Sequence, residues 1–386
     1  MLEGLREIYC YLYPYSLVKI IKQVDHVFVM KGAQIIKTNE PLVINDVEKP
    51  KPEGNQVLIR VAATGVCHSD LHLWEGGYAG PQGVFMKVED RGVKFPLIPG
   101  HEISGTVEEV GANVNNVHVD DKVLVYPWLG EGNCPACLSG EQNLCDNPRT
   151  LGIYQNGGYA QYVLIPDSKF LIKLDHLQFD SASSLACSGL TAYNAVKKAK
   201  PIPGLEEKHN IVIVGAGGLG LMAVQIAKAI FRSKITIIDV NNQKLDEARK
   251  LGADNIINTK EKQDVVKEVK DLTNGSGTDV VLDFVNNNIT SVNSFNMLRK
   301  RGKLIMVGLF GGSMELNLPM IPLRGYTLTG AYTGTFQDLT ELVELASDGK
   351  VRTVLDRTFT LDQVNEALHD LKNGKIIGRA IINPNQ

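Results

Sequence analysis

The sequence predicts an α/β protein of two units, an irregular, mainly β unit followed by a doubly wound parallel sheet. Three observations carry this. From Met30 to about Pro166, short β-runs such as QVLIRVA, DKVLVY and YAQYVLI alternate with Gly, Pro and Asn punctuation. Beyond Lys208, apolar runs of strand length (IVIV, KITIID, NII, DVVLDFV, KLIMVG) alternate with helical stretches, the pattern of parallel strands joined by crossover helices. At 386 residues the chain is also too long for one ordinary core and suits two.

Residues 1–29 are apolar and tyrosine-rich, but Glu3, Arg6, Glu7, Pro14, Lys19 and Lys22 interrupt any membrane span or leader. They are read as an N-terminal extension, with Met30 opening the strand-like pattern. Forty basic against 43 acidic residues, a net charge of −3 and no dense basic cluster argue against a nucleic-acid or anionic-membrane surface, so a small ligand is expected. Six cysteines spread over such a length make no disulfide framework. A reducing, cytoplasmic compartment follows.

Three of those cysteines crowd into GEGNCPACLSGEQNLC. Glu131 precedes Cys134 by the same interval that separates Cys134 from Cys137, so Glu131, Cys134, Cys137 and Cys145 offer four ligands on one loop. One carboxylate and three thiolates can close a tetrahedral zinc site with no position open to water, the mark of a structural metal. The alternative is a solvated loop acid beside free thiols. Elsewhere stand TGVCHSDLH with Cys67, IPGHEISG with His101 and Glu102, and LACSGLTAY with Cys187. Singly each is unremarkable, and spacing cannot join them.

The run IVIVGAGGLGLMAVQIAKAI sets Gly215, Gly217 and Gly220 in GxGxxG register after a buried strand, with Gly218 and Leu219 opening an apolar helix. The next strand, KITIID, ends on Asp239, where an acceptor for the adenosine ribose hydroxyls belongs. The pair indicates dinucleotide binding, with the pyrophosphate at the helix N-terminus. NAD is expected over NADP, because the carboxylate would face a 2′-phosphate as a like charge. A plain strand-to-helix turn with a capping Asp is the competing reading.

Taken in order, GVCHSDLH, PGHEISGTVEEVG, the 131–145 loop, LACSGLTAY and VGAGGLG resemble the zinc-dependent medium-chain alcohol dehydrogenases. The resemblance runs from Met30 to the end, and Glu131, where most members carry Cys, is similar to the archaeal branch. It implies a GroES-like catalytic domain over 30–188, a Rossmann domain over 189–330, and a return segment over 331–386 that completes the catalytic domain. It implies two zinc ions per chain and NAD. Cys67, His101 and Cys187 would hold the catalytic zinc, with Glu102 beside it and Asp70 fixing the tautomer of His101, unless Asp70 is only a helix-start acid. Ser69 and His72 match the family's proton relay. His68 and Arg379 match its pyrophosphate contacts, with ordinary surface and strand roles as the alternative, and Lys244 adds a ribose contact.

The activity implied is reversible oxidation of a primary or secondary alcohol to aldehyde or ketone. A polyol or amino-alcohol dehydrogenase of the same family, or a non-catalytic NAD- and zinc-binding relative, are the alternatives. Trp74, Trp128 and the stretch 75–98 are expected to shape an apolar substrate pocket, or the Trp residues are core. The same stretch could be a lid or a subunit contact. A homodimer or homotetramer is expected, with 303–308 and 326–330 as candidate contact edges.

Overall fold

The structure is a computed structural model that describes residues 28–201 and 209–386, so almost all of the predicted N-terminal extension lies outside the described residues. Two sheets organise the rest. The larger-numbered half forms a six-stranded parallel sheet in the order Asn255–Asn258, Lys234–Asp239, Asn210–Val214, Thr278–Asp283, Leu298–Met306, Thr327–Gly330. Its central strands carry largely apolar runs, 211–214, 235–238 and 280–282, because both faces are covered there. Ile211, Ile213, Val280 and Leu282 face one core, and their neighbours Val212, Val214 and Val281 face another. Strand order reverses on either side of Asn210–Val214, and a crevice at such a reversal is where open α/β sheets bind ligands.

The other half is built on a mainly antiparallel sheet ordered Leu355–Thr360, Arg379–Asn383, Val57–Gly65, Glu102–Val110, Lys122–Val125, Leu171–Lys173, with Tyr162–Ile165 also pairing Val57–Gly65. The C-terminal strand reaches this sheet by antiparallel pairing, Ile381 opposite Gly65. The chain therefore returns across the dinucleotide-type sheet to finish the first unit, and a cleft separates the two.

Two expectations are corrected. Residues 303–306 are not a sheet edge, because Leu298–Met306 pairs on one side with Thr278–Asp283 and on the other with Thr327–Gly330, so of the two candidates the latter is an edge strand, with Asn255–Asn258 at the far edge. Trp74 does not shape a pocket. It lies on the buried face of helix His68–Glu75, donates its indole N–H to the Glu40 carbonyl at 2.7 Å and meets His369 edge-on, as a core residue. Within 75–98, Gly77–Ala79 and Phe85–Lys87 make a short hairpin whose Ala79 carbonyl accepts from the Gly312 N–H at 3.2 Å. A side chain at Gly311 would strike that carbonyl at 1.9 Å, so glycine there lets the hairpin and the parallel-sheet unit touch across the cleft.

Candidate active site

Register explains how residues far apart in sequence meet. Gly65 pairs with Glu102, so the chain leaving one strand at Cys67 and the chain entering the next at His101 lie side by side. A Cβ on Gly65 would sit 1.9 Å from Glu102 Oε2, so glycine there leaves room for the Glu102 carboxylate between the two segments. Cys67 caps helix His68–Glu75, and Cys187 caps helix Ser188–Lys198. The Cys67, His101 and Cys187 ligand atoms fall within 4.8 Å of one another, all buried, and the two Sγ atoms are 3.9 Å apart.

Chemically this trio fits a zinc ion. His101 Nε2 is buried with no protein partner, beside two thiols, and a lone pair so placed is satisfied by a cation. The hydrogen bond with Cys187, together with Arg379 and His101, draws the Cys67 thiol well below its ordinary value against the effect of burial. The same contact and burial push Cys187 up. Asp70, 1% exposed, accepts from the Cys67 N–H at 2.9 Å, the Gly100 N–H at 3.3 Å and the Tyr159 hydroxyl at 2.9 Å. His101 Nδ1 approaches its Oδ1 at 3.2 Å, obliquely for a hydrogen bond. Burial works to lower the His101 value, but the Asp70 carboxylate and Cys67 together outweigh it and the net direction is upward. Asp70 is thus both the helix-start acid and the neighbour of His101.

Glu102 and Arg379 form a buried ion pair at 2.6 Å, and Glu102 Oε1 also accepts from the Ser188 N–H at 3.0 Å. Burial pushes the Glu102 carboxyl up to about 7 even with Arg379 beside it. Arg379 lies 3.6 Å from Cys67 Sγ through Nη2, and its Nε is buried without a protein partner. A Cβ on Gly218 would lie 3.3 Å from Arg379 Cδ. The guanidinium therefore spans from the thiol cluster to the N-terminus of the glycine-loop helix.

The cleft, a cavity of about 380 Å³, is lined at one end by Cys67, Ser69, His72 and Cys187 and at the other by the glycine loop, Asp239 and Lys244. Each glycine has its own reason. Gly215 sits at φ 97°, a Cβ on Gly220 would meet the Gly215 carbonyl at 1.8 Å, and Gly217 faces open space into which a ligand can press against bare backbone. Asp239 accepts from the Ala216 N–H at 2.6 Å and from those of Val240 at 2.7 Å and Asn241 at 2.9 Å, so its carboxylate also ties the loop in place. The open glycine cradle, the unpartnered Arg379 Nε and the Asp239 acceptor together fit a dinucleotide.

His72 packs against Tyr78 with ring centroids 4.5 Å apart and the rings tilted by 38°, and burial lowers its imidazole, which is neutral near pH 7. His68 opens on the cleft 5.7 Å from the Phe310 ring, and desolvation brings it down to about 4, so it offers an N–H donor rather than a charge. Trp128 lines the cleft as expected, with its ring 5.4 Å from His101 and edge-on to Tyr332 at 5.7 Å. Tyr332, Thr333, Leu309 and Phe310 also line it and carry no motif by which sequence could have marked them. Thr333 stands at φ 46°, a strained conformation for a β-branched residue, with Oγ1 buried and unpartnered.

On the separate loop, Cys134, Cys137 and Cys145 cluster within 4.8 Å. The Gly132 N–H points at Cys137 Sγ and the Glu131 N–H at Cys145 Sγ, both at 3.3 Å, which suits thiolates. The Glu131 carboxylate stands outside this cluster and accepts from Asn147 Nδ2 at 3.0 Å.

Residues 53–176 match the family model of the alcohol dehydrogenase GroES-like domain, and 218–348 match that of the zinc-binding dehydrogenases. The chain is 43% identical to the NAD-dependent alcohol dehydrogenase of Sulfurisphaera tokodaii over 92% of its own length and all of the relative's. It is 33% identical to the D-arabinose 1-dehydrogenase (NADP(+)) of Saccharolobus solfataricus, over 92% of this chain and 97% of the other. The crystal structure of the alcohol dehydrogenase from Aeropyrum pernix superposes with a TM-score of 0.83 at 36% identity, covering 92% of this chain and all of that one.

Proposed function

The chain belongs to the zinc-binding, GroES-like alcohol dehydrogenase family, and from that premise we propose how its own residues perform NAD-dependent alcohol oxidation. The protein is a zinc-dependent alcohol dehydrogenase that uses NAD, and its substrate is a small alcohol. The buried, convergent Cys67, His101 and Cys187 with the unsatisfied His101 Nε2 carry the assignment of the catalytic zinc. When bound, zinc supplies Lewis acidity toward a hydroxyl oxygen and NAD supplies the hydride acceptor.

The protein's part is to bind, orient and move a proton. Trp128, Tyr332, Leu309 and Phe310 receive the apolar part of the alcohol and exclude water from its carbinol end. Ser69 accepts the hydroxyl proton at Oγ. His72, three residues on and so on the same helical face, takes it toward solvent because burial keeps its imidazole neutral. Gly215 to Gly220 and Arg379 hold the pyrophosphate, Asp239 and Lys244 the adenosine ribose, and His68 donates an N–H nearby. Cys134, Cys137 and Cys145 hold a second, structural zinc, with Glu131 as fourth ligand once it turns from Asn147.

The domain limits 30–188, 189–330 and 331–386 are supported by the return of Arg379–Asn383 to the first sheet. We assign a homo-oligomer through the free edge of Thr327–Gly330, and a cytoplasmic location in which the thiols stay reduced. Among the described residues no helix is long and apolar enough to cross a membrane. Formation of reduced nicotinamide with a panel of apolar, polyhydroxylated and amino alcohols tests the substrate reading. Turnover confined to polyols or sugars would overturn the apolar assignment.

A further inference from the structure

We propose that Tyr159 is a positioning residue for the catalytic zinc ligands, acting through Asp70; this rests on Cys67, His101 and Cys187 holding that zinc. The starting point is the crowd of donors on one carboxylate. Asp70 is 1% exposed, and its Oδ2 receives both the Cys67 N–H and the Tyr159 hydroxyl at 2.9 Å, while Oδ1 receives the Gly100 N–H and faces His101 Nδ1. Two of those donors belong to the ligand segments themselves, Cys67 and the residue preceding His101. Asp70 therefore ties the two segments together, and the Tyr159 hydroxyl is the donor that reaches it from a third.

Tyr159 is held so that it can do this. It is fully buried, its N–H donates to the Pro99 carbonyl at 3.0 Å, and its own carbonyl accepts from the Ala33 N–H at 2.8 Å. Its ring lies against Gly100, where φ is 90° and a Cβ would meet Tyr159 Cδ1 at 2.5 Å. The ring cannot move without disturbing the turn that delivers His101, so the hydroxyl has a fixed target. A charge-assisted O–H···O⁻ bond of this kind sets the rotation of the Asp70 carboxylate. That rotation sets how squarely Oδ1 faces the imidazole. Partners of metal ligands are commonly worth about 10–100-fold in metal affinity, and a group one bond farther out is expected to give the lower end of that range or less.

The test is Tyr159→Phe, which keeps the ring and its packing and removes only the hydroxyl. Zinc-loaded parent and variant are challenged with a chelating dye, and release of each of the two zincs is followed in time. The expected result is about a three- to tenfold faster release of one zinc, with the other leaving at the parent rate and the thermal midpoint of the loaded protein little changed. In an Asp70→Asn background the same hydroxyl deletion is expected to add nothing, because the acceptor it acts through has been altered. Two zincs released at parent rates, or both released faster in step with a general loss of stability, would overturn the positioning role alone. A parent protein that carries a single zinc would overturn this inference together with the ligand assignment beneath it.

Discussion

Replacing Arg379 by Met removes the guanidinium that lies 2.6 Å from the buried Glu102 carboxylate, and the resulting loss of stability should depend on pH in a defined direction. Breaking a buried ion pair typically costs about 3–5 kcal/mol when the remaining charge has no escape. Glu102 has one, because burial already pushes its carboxyl up to about 7 with Arg379 present. Without Arg379 the folded value rises further, while the unfolded value stays near 4.5. A carboxyl raised in the folded state contributes fully below its unfolded value and loses that contribution as pH climbs through its folded value. Between about 4.5 and 7, parent and variant both keep the proton and their stabilities fall together.

Above about 7 the parent ionises and levels off, whereas the variant continues to fall. The gap should therefore widen steadily from pH 6 to pH 9, by roughly 1 kcal/mol per pH unit above about 7, before approaching the limit for an uncompensated charge. Urea denaturation of metal-stripped protein across this pH range measures it, since no cation then competes with Arg379 for Glu102. Cys67, 3.6 Å from Arg379, also titrates, so the control is the same Arg379→Met change made in a Glu102→Gln background, where no carboxyl titrates on either side of the comparison. The gap between Glu102→Gln and this double variant should change with pH much less. A gap for Arg379→Met that is flat from pH 6 to 9, or one that the double variant reproduces, would refute the reasoning.

His72→Ala should slow alcohol oxidation about tenfold near pH 7 and less at higher pH, where hydroxide replaces an imidazole that burial keeps neutral; a pH-independent ratio of parent to variant rates would remove His72 from the relay. Asp239→Ser should shift kcat/KM from NAD toward NADP by relieving a like-charge contact that typically costs several kcal/mol before solvent screening, and it should weaken both cofactors because the carboxylate also binds three loop N–H groups. Elemental analysis should find one zinc left in both Cys67→Ser and Cys134→Ser, with turnover abolished in the former and mainly the thermal midpoint lowered in the latter. Loss of both metals in each variant would contradict the division into two sites.

Features that depend on local order are legible along the chain. The alternating apolar runs beyond Lys208 specify strands buried on both faces, and the spacing of Gly215, Gly217 and Gly220 specifies a tight turn that leaves bare backbone open to a ligand. The Cys134, Cys137 and Cys145 interval likewise brings three thiols together on one loop, because ligands eleven residues apart need no distant partner. Features that depend on register between distant strands are visible in the folded protein alone. Pairing of Gly65 with Glu102 puts Cys67 beside His101, and the return of Arg379–Asn383 to that same sheet delivers Arg379 to Glu102 across 277 positions of chain. Tertiary packing also sent Trp74 to the core and Trp128 to the cleft, turned Glu131 to Asn147, and seated Tyr159 on Asp70. None of these leaves a mark along the chain, because a side chain's neighbours across a sheet are set by pairing and packing that residue order alone does not encode locally.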